Sequence, residues 1–158
     1  MNPLPIYKSQ IRRFISESNR IEGILREPSS QEILETETFL RLPVVTVESL
    51  KALVGVYQPD AVIRDHPDLN VRVGNHFPPH GGPHVVFALE QILASLSSTH
   101  PWKVHLAYET LHPFTDGNGR SGRALWAWQM LRKSPAGLPL GFLHEFYYQT
   151  LQHSGDRT

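Results

Sequence analysis

The stretch HPFTDGNGR, residues 112–120, gathers chemically active side chains and glycines into nine positions. Gly117 and Gly119 have no Cβ, so a ligand can approach the backbone amides closely there. A helical pattern begins at this point, and the first N–H groups of a helix have no partners inside it and carry partial positive charge. The spacing therefore predicts that Gly117, Asn118 and Gly119 form an anion cradle of the phosphate-binding kind.

Two arginines follow in the first turn of the same helix. Arg120 and Arg123 are three residues apart, which places them on one face. Helical side chains tilt toward the N-terminus, so we expect both guanidinium groups to point back at the cradle. Two forked cations beside a row of free amides suit a polyphosphate better than a lone carboxylate.

The remaining side chains of the stretch predict transfer chemistry beside the cradle. Asp116 would repel a phosphate unless a divalent cation lay between them, and Mg²⁺ usually binds through one or two carboxylates plus phosphate oxygens. His112 has an ordinary pKa near neutrality, so it can take a proton from an attacking group. The apolar ring of Phe114 is expected to face the core and to fix the loop.

The elements that must position these residues are helices. Gly23 is placed to end the first of them, and Ser29 and Thr46 are placed as N-caps of the next two. Apolar residues recur at helical spacing in seven segments, residues 9–23, 29–40, 46–58, 84–98, 101–111, 119–133 and 140–152.

The pattern changes between about Asp60 and Gly82, where short alternating runs are broken by proline and glycine. Such runs predict a loop that carries a small β-hairpin. No repeat or linker divides the chain. The sequence therefore predicts one all-α domain over residues 1–158, with a small β-hairpin before the chemically active loop.

The amino-acid composition excludes several classes of function. Of 158 residues, Lys and Arg together number 15 and Asp and Glu together number 15, so no bulk charge draws the chain to nucleic acid or to a membrane surface. The absence of cysteine excludes disulfides, thiol catalysis and cysteine-based zinc sites. The first residues lack the pattern of a secretory signal, and no apolar run reaches membrane-spanning length. We expect a cytoplasmic protein that binds neither nucleic acid nor membrane.

Three histidines, His76, His80 and His84, recur at every fourth position, which on a helix would align zinc ligands. The intervening prolines and glycines exclude a helix through them. We interpret the segment as a loop that is solvated or that contacts a target.

The sequence HPFTDGNGRSGR, from His112 to Arg123, resembles the Fic family, whose motif is H-x-F-x-[D/E]-G-N-G-R-x-x-R. Every fixed position of that motif is filled. The resemblance implies transfer of AMP from ATP to a side-chain hydroxyl of a target protein. It implies that His112 is the base, that Asp116 holds Mg²⁺, and that Gly117 to Gly119 bind phosphate with Arg120 and Arg123, the latter at the terminal phosphate.

The resemblance also extends to the hairpin, which in Fic proteins is a flap over residues here numbered about 68–86. An exposed strand edge can bind an extended target segment through its backbone. The candidate target-binding residues are Val71, Arg72, Val73 and Gly74. The resemblance implies a partner protein that bears a serine, threonine or tyrosine hydroxyl, and a homo-oligomer stays open as a further assembly.

A second family pattern, [S/T]-x-x-x-E-[G/N], matches SNRIEG from Ser18 to Gly23. In Fic proteins it marks an inhibitory helix, here about residues 7–24. Glu22 stands at the C-terminus of the helix, where the helix dipole disfavours a carboxylate by some tenths of a kcal/mol. The resemblance implies that Glu22 competes with ATP for Arg123.

Two alternatives remain open on the same fold. One is a phosphotransferase or another nucleotidyl transferase; a Fic branch that transfers phosphate carries a lysine late in the motif, where this chain has Gly119 and Arg120. The other is a regulatory module that binds a nucleotide without transferring any part of it. An intact His112 and Asp116 argue against the second, because a pure binder needs no base.

Overall fold

A computed structural model describes residues 6–133, which fold into helices joined by short loops. The first six predicted helices are confirmed, with bounds that differ by a few residues at most. The seventh predicted helix, residues 140–152, lies outside the described residues. The six helices of the described part are α1 (Lys8–Ile21), α2 (Ser30–Leu40), α3 (Val47–Tyr57), α4 (Pro83–Ala94), α5 (Pro101–Leu111) and α6 (Asn118–Lys133).

Local sequence explains where the first three helices begin and end. The hydroxyl groups of Ser29 and Thr46 accept hydrogen bonds from backbone N–H groups in the first turns of α2 and α3, as predicted for N-caps. Gly23 has a φ of 75° and follows the last residues of α1. Because glycine adopts this left-handed conformation without a Cβ clash, it ends α1 and turns the chain toward α2.

Helix α6 is the centre of the fold and is buried on nearly all sides. It packs against α1, α2, α3 and α5. Two tryptophans two residues apart cannot share one helix face, which predicts that only one is in the core. In fact Trp126 and Trp128 are both only 8% exposed. The second tryptophan, which was expected to be half exposed or at an interface, is buried as well because the neighbouring helices surround α6.

The predicted β-hairpin flap is not present as strands. In the described residues the segment forms an isolated antiparallel bridge in which Val73 and His76 exchange backbone hydrogen bonds of 3.0 and 2.8 Å around a turn at Gly74. The next bonded pair outward would join Val71 to Pro78, and proline has no N–H to donate. The ladder therefore stops after one bridge, and the flap is a turn on a loop.

None of the helices in residues 6–133 has the length and apolar character that a membrane span requires. These helices surround the junction between α5 and α6. The C-terminus of α5 and the N-terminus of α6 meet there, and the end of α1 reaches the same place from the opposite end of the chain.

Candidate active site

The loop between α5 and α6 has a defined backbone. Helix α5 ends at Leu111, and His112 follows in the left-handed conformation with a φ of 52°. Gly117 has a φ of 76°, which only glycine adopts freely. The middle of the loop pairs with an earlier segment, since the N–H of Thr115 donates to the carbonyl of Val62 at 2.9 Å. The loop is therefore supported from outside as well as by its own turns.

Phe114 and Asn118 fix the loop from within. The ring of Phe114 is 1% exposed, which confirms that it faces the core. The side chain of Asn118 is also buried; its Oδ1 accepts from the N–H of Phe114 at 2.9 Å, and its Nδ2 donates to the carbonyl of Phe114 at 2.8 Å. The Asn118 side chain thus closes the loop, and only its backbone amide remains for the predicted cradle.

His112 is half-buried at the edge of a cleft of about 540 Å³. Burial lowers its pKa to about 4, and the positive charge of Arg64 acts in the same direction. A hydrogen bond to the backbone carbonyl of Glu109 and the charge of Asp116 oppose this shift only in part. At neutral pH the imidazole is therefore neutral and able to accept a proton.

The same cleft brings together most of the predicted site residues. His112 and Asp116 face it together with the backbone of residues 117–119. Of the predicted flap residues, Val71, Arg72 and Val73 line the cleft, whereas Gly74 does not. The cleft lining is Glu22, Ile24, Gln58, Val71, Arg72, Val73, His112, Thr115, Asp116, Gly117, Asn118, Gly119 and Arg120.

Asp116 is exposed at the mouth of the cleft, and its Oδ1 accepts a hydrogen bond from the N–H of Gly117 at 2.7 Å. No group of three or more His, Cys, Asp or Glu side chains in residues 6–133 could enclose a metal ion, and the histidines of the flap form no such group. Mg²⁺ typically keeps several waters and takes one or two carboxylates plus phosphate oxygens. A single exposed carboxylate beside an anion cradle fits that ligand set.

Arg123 is 1% exposed and reaches back to the end of α1. Its Nη2 donates to Oε1 of Glu22 at 2.7 Å and to the carbonyl of Ser18 at 3.1 Å, and its Nε donates to the hydroxyl of Ser18 at 2.7 Å. The Glu22 carboxylate also lies over the first turn of α6, so close to Gly119 that a Cβ there would collide with its Oε1. An acidic side chain thus occupies the start of the predicted anion cradle.

Arg120 lines the same cleft, and its guanidinium bonds to the end of α3. Its Nη1 donates to the carbonyl of Tyr57 at 2.8 Å and its Nη2 to the side chain of Gln58 at 2.9 Å, both at the C-terminal end of α3. The two arginines thus have different partners, since Arg120 bonds to the end of α3 and Arg123 bonds to the end of α1. Its role in phosphate binding stays a prediction.

The residues that form this cleft lie largely within a segment that matches a known protein family. The model of the Fic/DOC family matches residues 34–130, which is more than half of the chain and includes both the flap and the loop between α5 and α6. The chain belongs to the Fic/DOC family. A search of curated proteins gives no significant match. Fic domains are in general transferases, so a Fic-type transferase is the functional class.

The Fic/DOC match begins after α1, so Ser18, Glu22 and Gly23 lie outside the matched residues. The contacts of Arg123 nevertheless join Ser18 and Glu22 to the Fic motif. Glu22 is 101 positions away from Arg123 along the chain. The assignment of α1 as an inhibitory helix therefore depends on these contacts and on the SNRIEG pattern.

Two further residues at the Fic site were not found by sequence reasoning. Glu109 lies in α5 beneath the first turn of α6, where Gly122 leaves room for its carboxylate. Burial raises the pKa of Glu109 to about 8, although Arg123 lowers it. Arg64 binds the loop that carries His112. Glu109 is an acidic residue inside the apolar pattern of α5, and this was a signal in the sequence. Nothing in the spacing of the sequence pointed to Arg64.

Proposed function

We propose that this Fic/DOC chain is a self-inhibited protein adenylyltransferase, which transfers AMP from ATP to a hydroxyl side chain of a target protein (AMPylation). One observation carries the proposal: the carboxylate of Glu22 is bonded to Arg123 at the start of α6, in a cleft that His112 also lines. A carboxylate at that place stands where a phosphate of ATP would bind, which gives the cleft both a nucleotide site and an inhibitor.

The transfer step follows from the groups in the cleft. A serine, threonine or tyrosine hydroxyl of the target gives its proton to the neutral imidazole of His112 and attacks the α-phosphorus of ATP. The bond from that phosphorus to the oxygen of the β-phosphate breaks, and pyrophosphate leaves. The N–H groups at the start of α6 bind the phosphate oxygens, where they stabilise the charge that develops during transfer.

Asp116 is the residue proposed to hold Mg²⁺, whose charge would neutralise the phosphates beside this carboxylate when both are bound. The hydrogen bond from the N–H of Gly117 holds one oxygen of Asp116 in place. The carboxylate is exposed, so a metal ion can reach it together with ATP.

Inhibition is proposed to act through Arg123. A hydrogen bond between a guanidinium and a carboxylate is strong because both groups are charged. A terminal phosphate would have to compete with Glu22 for the same guanidinium and would be repelled by the carboxylate. ATP could then bind only in a distorted pose, with its α-phosphate displaced from the line of attack.

Labelling with ATP tests the function directly. The Glu22→Gly form is incubated in a cell lysate with ATP labelled at either the α- or the γ-phosphate. Label transferred to protein from the α-phosphate alone supports AMP transfer. Label from the γ-phosphate alone would show a phosphotransferase, and label from neither would favour a nucleotide-binding regulatory module.

Loss of the Asp116 carboxylate is expected to reduce Mg²⁺-dependent transfer. In Asp116→Ala we expect at least the ~10–100-fold loss that follows when a metal site is weakened. The measurement is the rate of labelling as a function of Mg²⁺ concentration in the Glu22→Gly background.

A matched variant separates metal binding from loop support. Asp116→Asn keeps an oxygen that can accept from the N–H of Gly117 but removes the charge. It is expected to lose as much activity as Asp116→Ala. Full activity of the asparagine variant at ordinary Mg²⁺ levels would show that Asp116 supports the loop and does not hold the ion.

The flap is proposed to bind an extended segment of the target through its backbone. Within residues 6–133 the N–H of Val73 is already bonded to His76, whereas no acceptor for the N–H of Arg72 is found. Arg72→Pro removes that free donor. We expect it to weaken labelling of the target while leaving the affinity for ATP unchanged, as measured by calorimetry.

Arg72→Ala is the matched control, because it removes the side chain, which donates to the carbonyl of Gly74 at 2.7 Å, and keeps the amide. If target labelling falls equally in both variants, the guanidinium and not the amide is the important group. If ATP binding falls along with labelling in Arg72→Pro, the flap assignment is wrong.

A further inference from the structure

Arg64 is a fully buried arginine whose side chain bonds only to backbone. Its exposed fraction is 0%, and it lies in the connection between α3 and the flap. Nε and the two Nη atoms donate four hydrogen bonds to backbone carbonyls, at distances from 2.7 to 3.2 Å. No carboxylate in residues 6–133 forms an ion pair with it. A buried cation without a counter-charge is costly, so its place in the core calls for a specific reason.

Two of the acceptors belong to the end of α5. Nη2 of Arg64 donates to the carbonyl of Leu111 at 2.9 Å, and Nε donates to the carbonyl of His112 at 2.7 Å. The last carbonyls of a helix have no partners within it and carry partial negative charge, which favours a cation there. His112 is the only non-glycine residue in the described part of the chain with a positive φ. Such a backbone persists only where its surroundings hold it.

The other two acceptors lie in the flap, one on each side of its turn. Nη1 of Arg64 donates to the carbonyl of Leu69 at 3.2 Å and to that of Pro79 at 2.8 Å. Residues 69–79 contain the predicted target-binding positions, and a second bond joins this segment to α5, from the ring of His76 to the carbonyl of Thr110 at 2.9 Å. One guanidinium therefore contacts both arms of the flap and the backbone of His112.

We propose that Arg64 is a positioning residue, which holds the target-binding flap and the His112 loop in one fixed relation. The inference depends on the proposed function, because it assigns the flap to the target and His112 to the proton. A planar fork of donors can satisfy several acceptors at set angles, which a lysine ammonium cannot do. A displacement of about 1 Å between the target hydroxyl and the base lowers the rate on the order of a hundredfold.

The main test compares two arginine-to-lysine variants in the Glu22→Gly background. Arg132 is the matched control, because it also donates to backbone carbonyls at a helix end and lies outside the cleft. Its acceptors are the carbonyl of Leu40, the last residue of α2, and that of Leu42. Both variants are expected to lower the melting temperature. Only Arg64→Lys is expected to reduce kcat/KM for the target, by about 10- to 100-fold.

The separate effects on kcat, on KM for the target and on ATP affinity distinguish a positioning role of Arg64 from a purely structural one. For Arg64→Lys we expect a lower kcat and a higher KM for the target, with an affinity for ATP that stays within about twofold because the phosphate-binding groups are elsewhere. An unchanged kcat/KM, or a loss no larger than that of Arg132→Lys, would overturn the proposal. So would an equal loss of ATP affinity, which would make Arg64 a core residue only.

Two measurements do not depend on transfer activity. In nuclear magnetic resonance spectra, Arg64→Lys should shift the His112 ring and the amides of residues 71–74 together, whereas Arg132→Lys should shift neither set. In the unmodified chain the Nε–H of Arg64 should exchange with solvent as slowly as the amides of α5; exchange at the rate of an exposed arginine would overturn the proposal even if no variant folds. If the Glu22→Gly form transfers nothing, the proposed function fails and these spectra still decide the role of Arg64.

Discussion

His112→Ala is expected to abolish measurable AMP transfer while ATP still binds. A general base contributes typically about 10²- to 10⁴-fold to a rate, and no other neutral imidazole lines the cleft in residues 6–133. The groups expected to bind phosphate belong to α6, so the affinity for ATP should change little. The measurement is labelling from α-labelled ATP together with calorimetry of ATP binding, both in the Glu22→Gly background.

The acid side of the pH profile gives a second readout for His112. Burial and Arg64 hold the pKa of this group low, at about 4, so the neutral base is fully present at neutral pH and is lost as the pH falls through that value. His66→Ala is the matched control, since His66 is an exposed imidazole outside the cleft. It should leave labelling unchanged, and undiminished labelling by His112→Ala would show that another group takes the proton.

Glu22→Gly is expected to raise transfer strongly, on the order of a hundredfold. The variant removes the carboxylate from Arg123 and from the start of α6, so the terminal phosphate of ATP can bind there and bring the α-phosphate into line. The estimate corresponds to a correction of about 1 Å in the position of the reacting groups. The measurement is the initial rate of labelling from α-labelled ATP.

Conservative replacements of Glu22 separate charge from helix effects. Glu22→Gln keeps the shape and removes the charge, so it should be nearly as active as the glycine variant, whereas Glu22→Asp should be less active. Glu27→Gly is the matched control, because Glu27 is an exposed acid in the segment that follows α1. If Glu22→Gly is no more active than the unmodified chain while labelling still requires His112, the inhibitory role is refuted.

Substitutions of Arg123 and Ser18 test the same inhibitory mechanism without changing Glu22 further. Replacing Arg123 in the Glu22→Gly background should erase the gain, since the freed guanidinium is the group proposed to bind the phosphate. Ser18→Ala removes one of the bonds that seat the end of α1 on Arg123, at 2.7 Å. It should therefore activate in the same direction but less than Glu22→Gly. A larger effect of Ser18→Ala would mean that the position of α1, and not the charge of Glu22, is decisive.

The sequence by itself determined the helices and the glycine-containing loop before α6. Their signals are local: N-caps at Ser29 and Thr46, a left-handed glycine after α1, and apolar spacing act within a few residues. The predicted anion cradle depends on equally local signals, because the first N–H groups of a helix have no partners inside that helix whatever the rest of the chain does. The Fic/DOC membership follows from that continuous stretch and from the order of the elements.

Only the tertiary structure decided how side chains distant in sequence share that loop. The guanidinium of Arg123 bonds to Glu22, 101 positions away, and that of Arg64 bonds to the carbonyl of His112, 48 positions away. Arg120, by contrast, turns to the end of α3, although helical spacing alone placed it beside Arg123. A helix pattern gives the direction in which a side chain leaves the backbone, but the acceptors that a long side chain reaches are set by the elements packed around it.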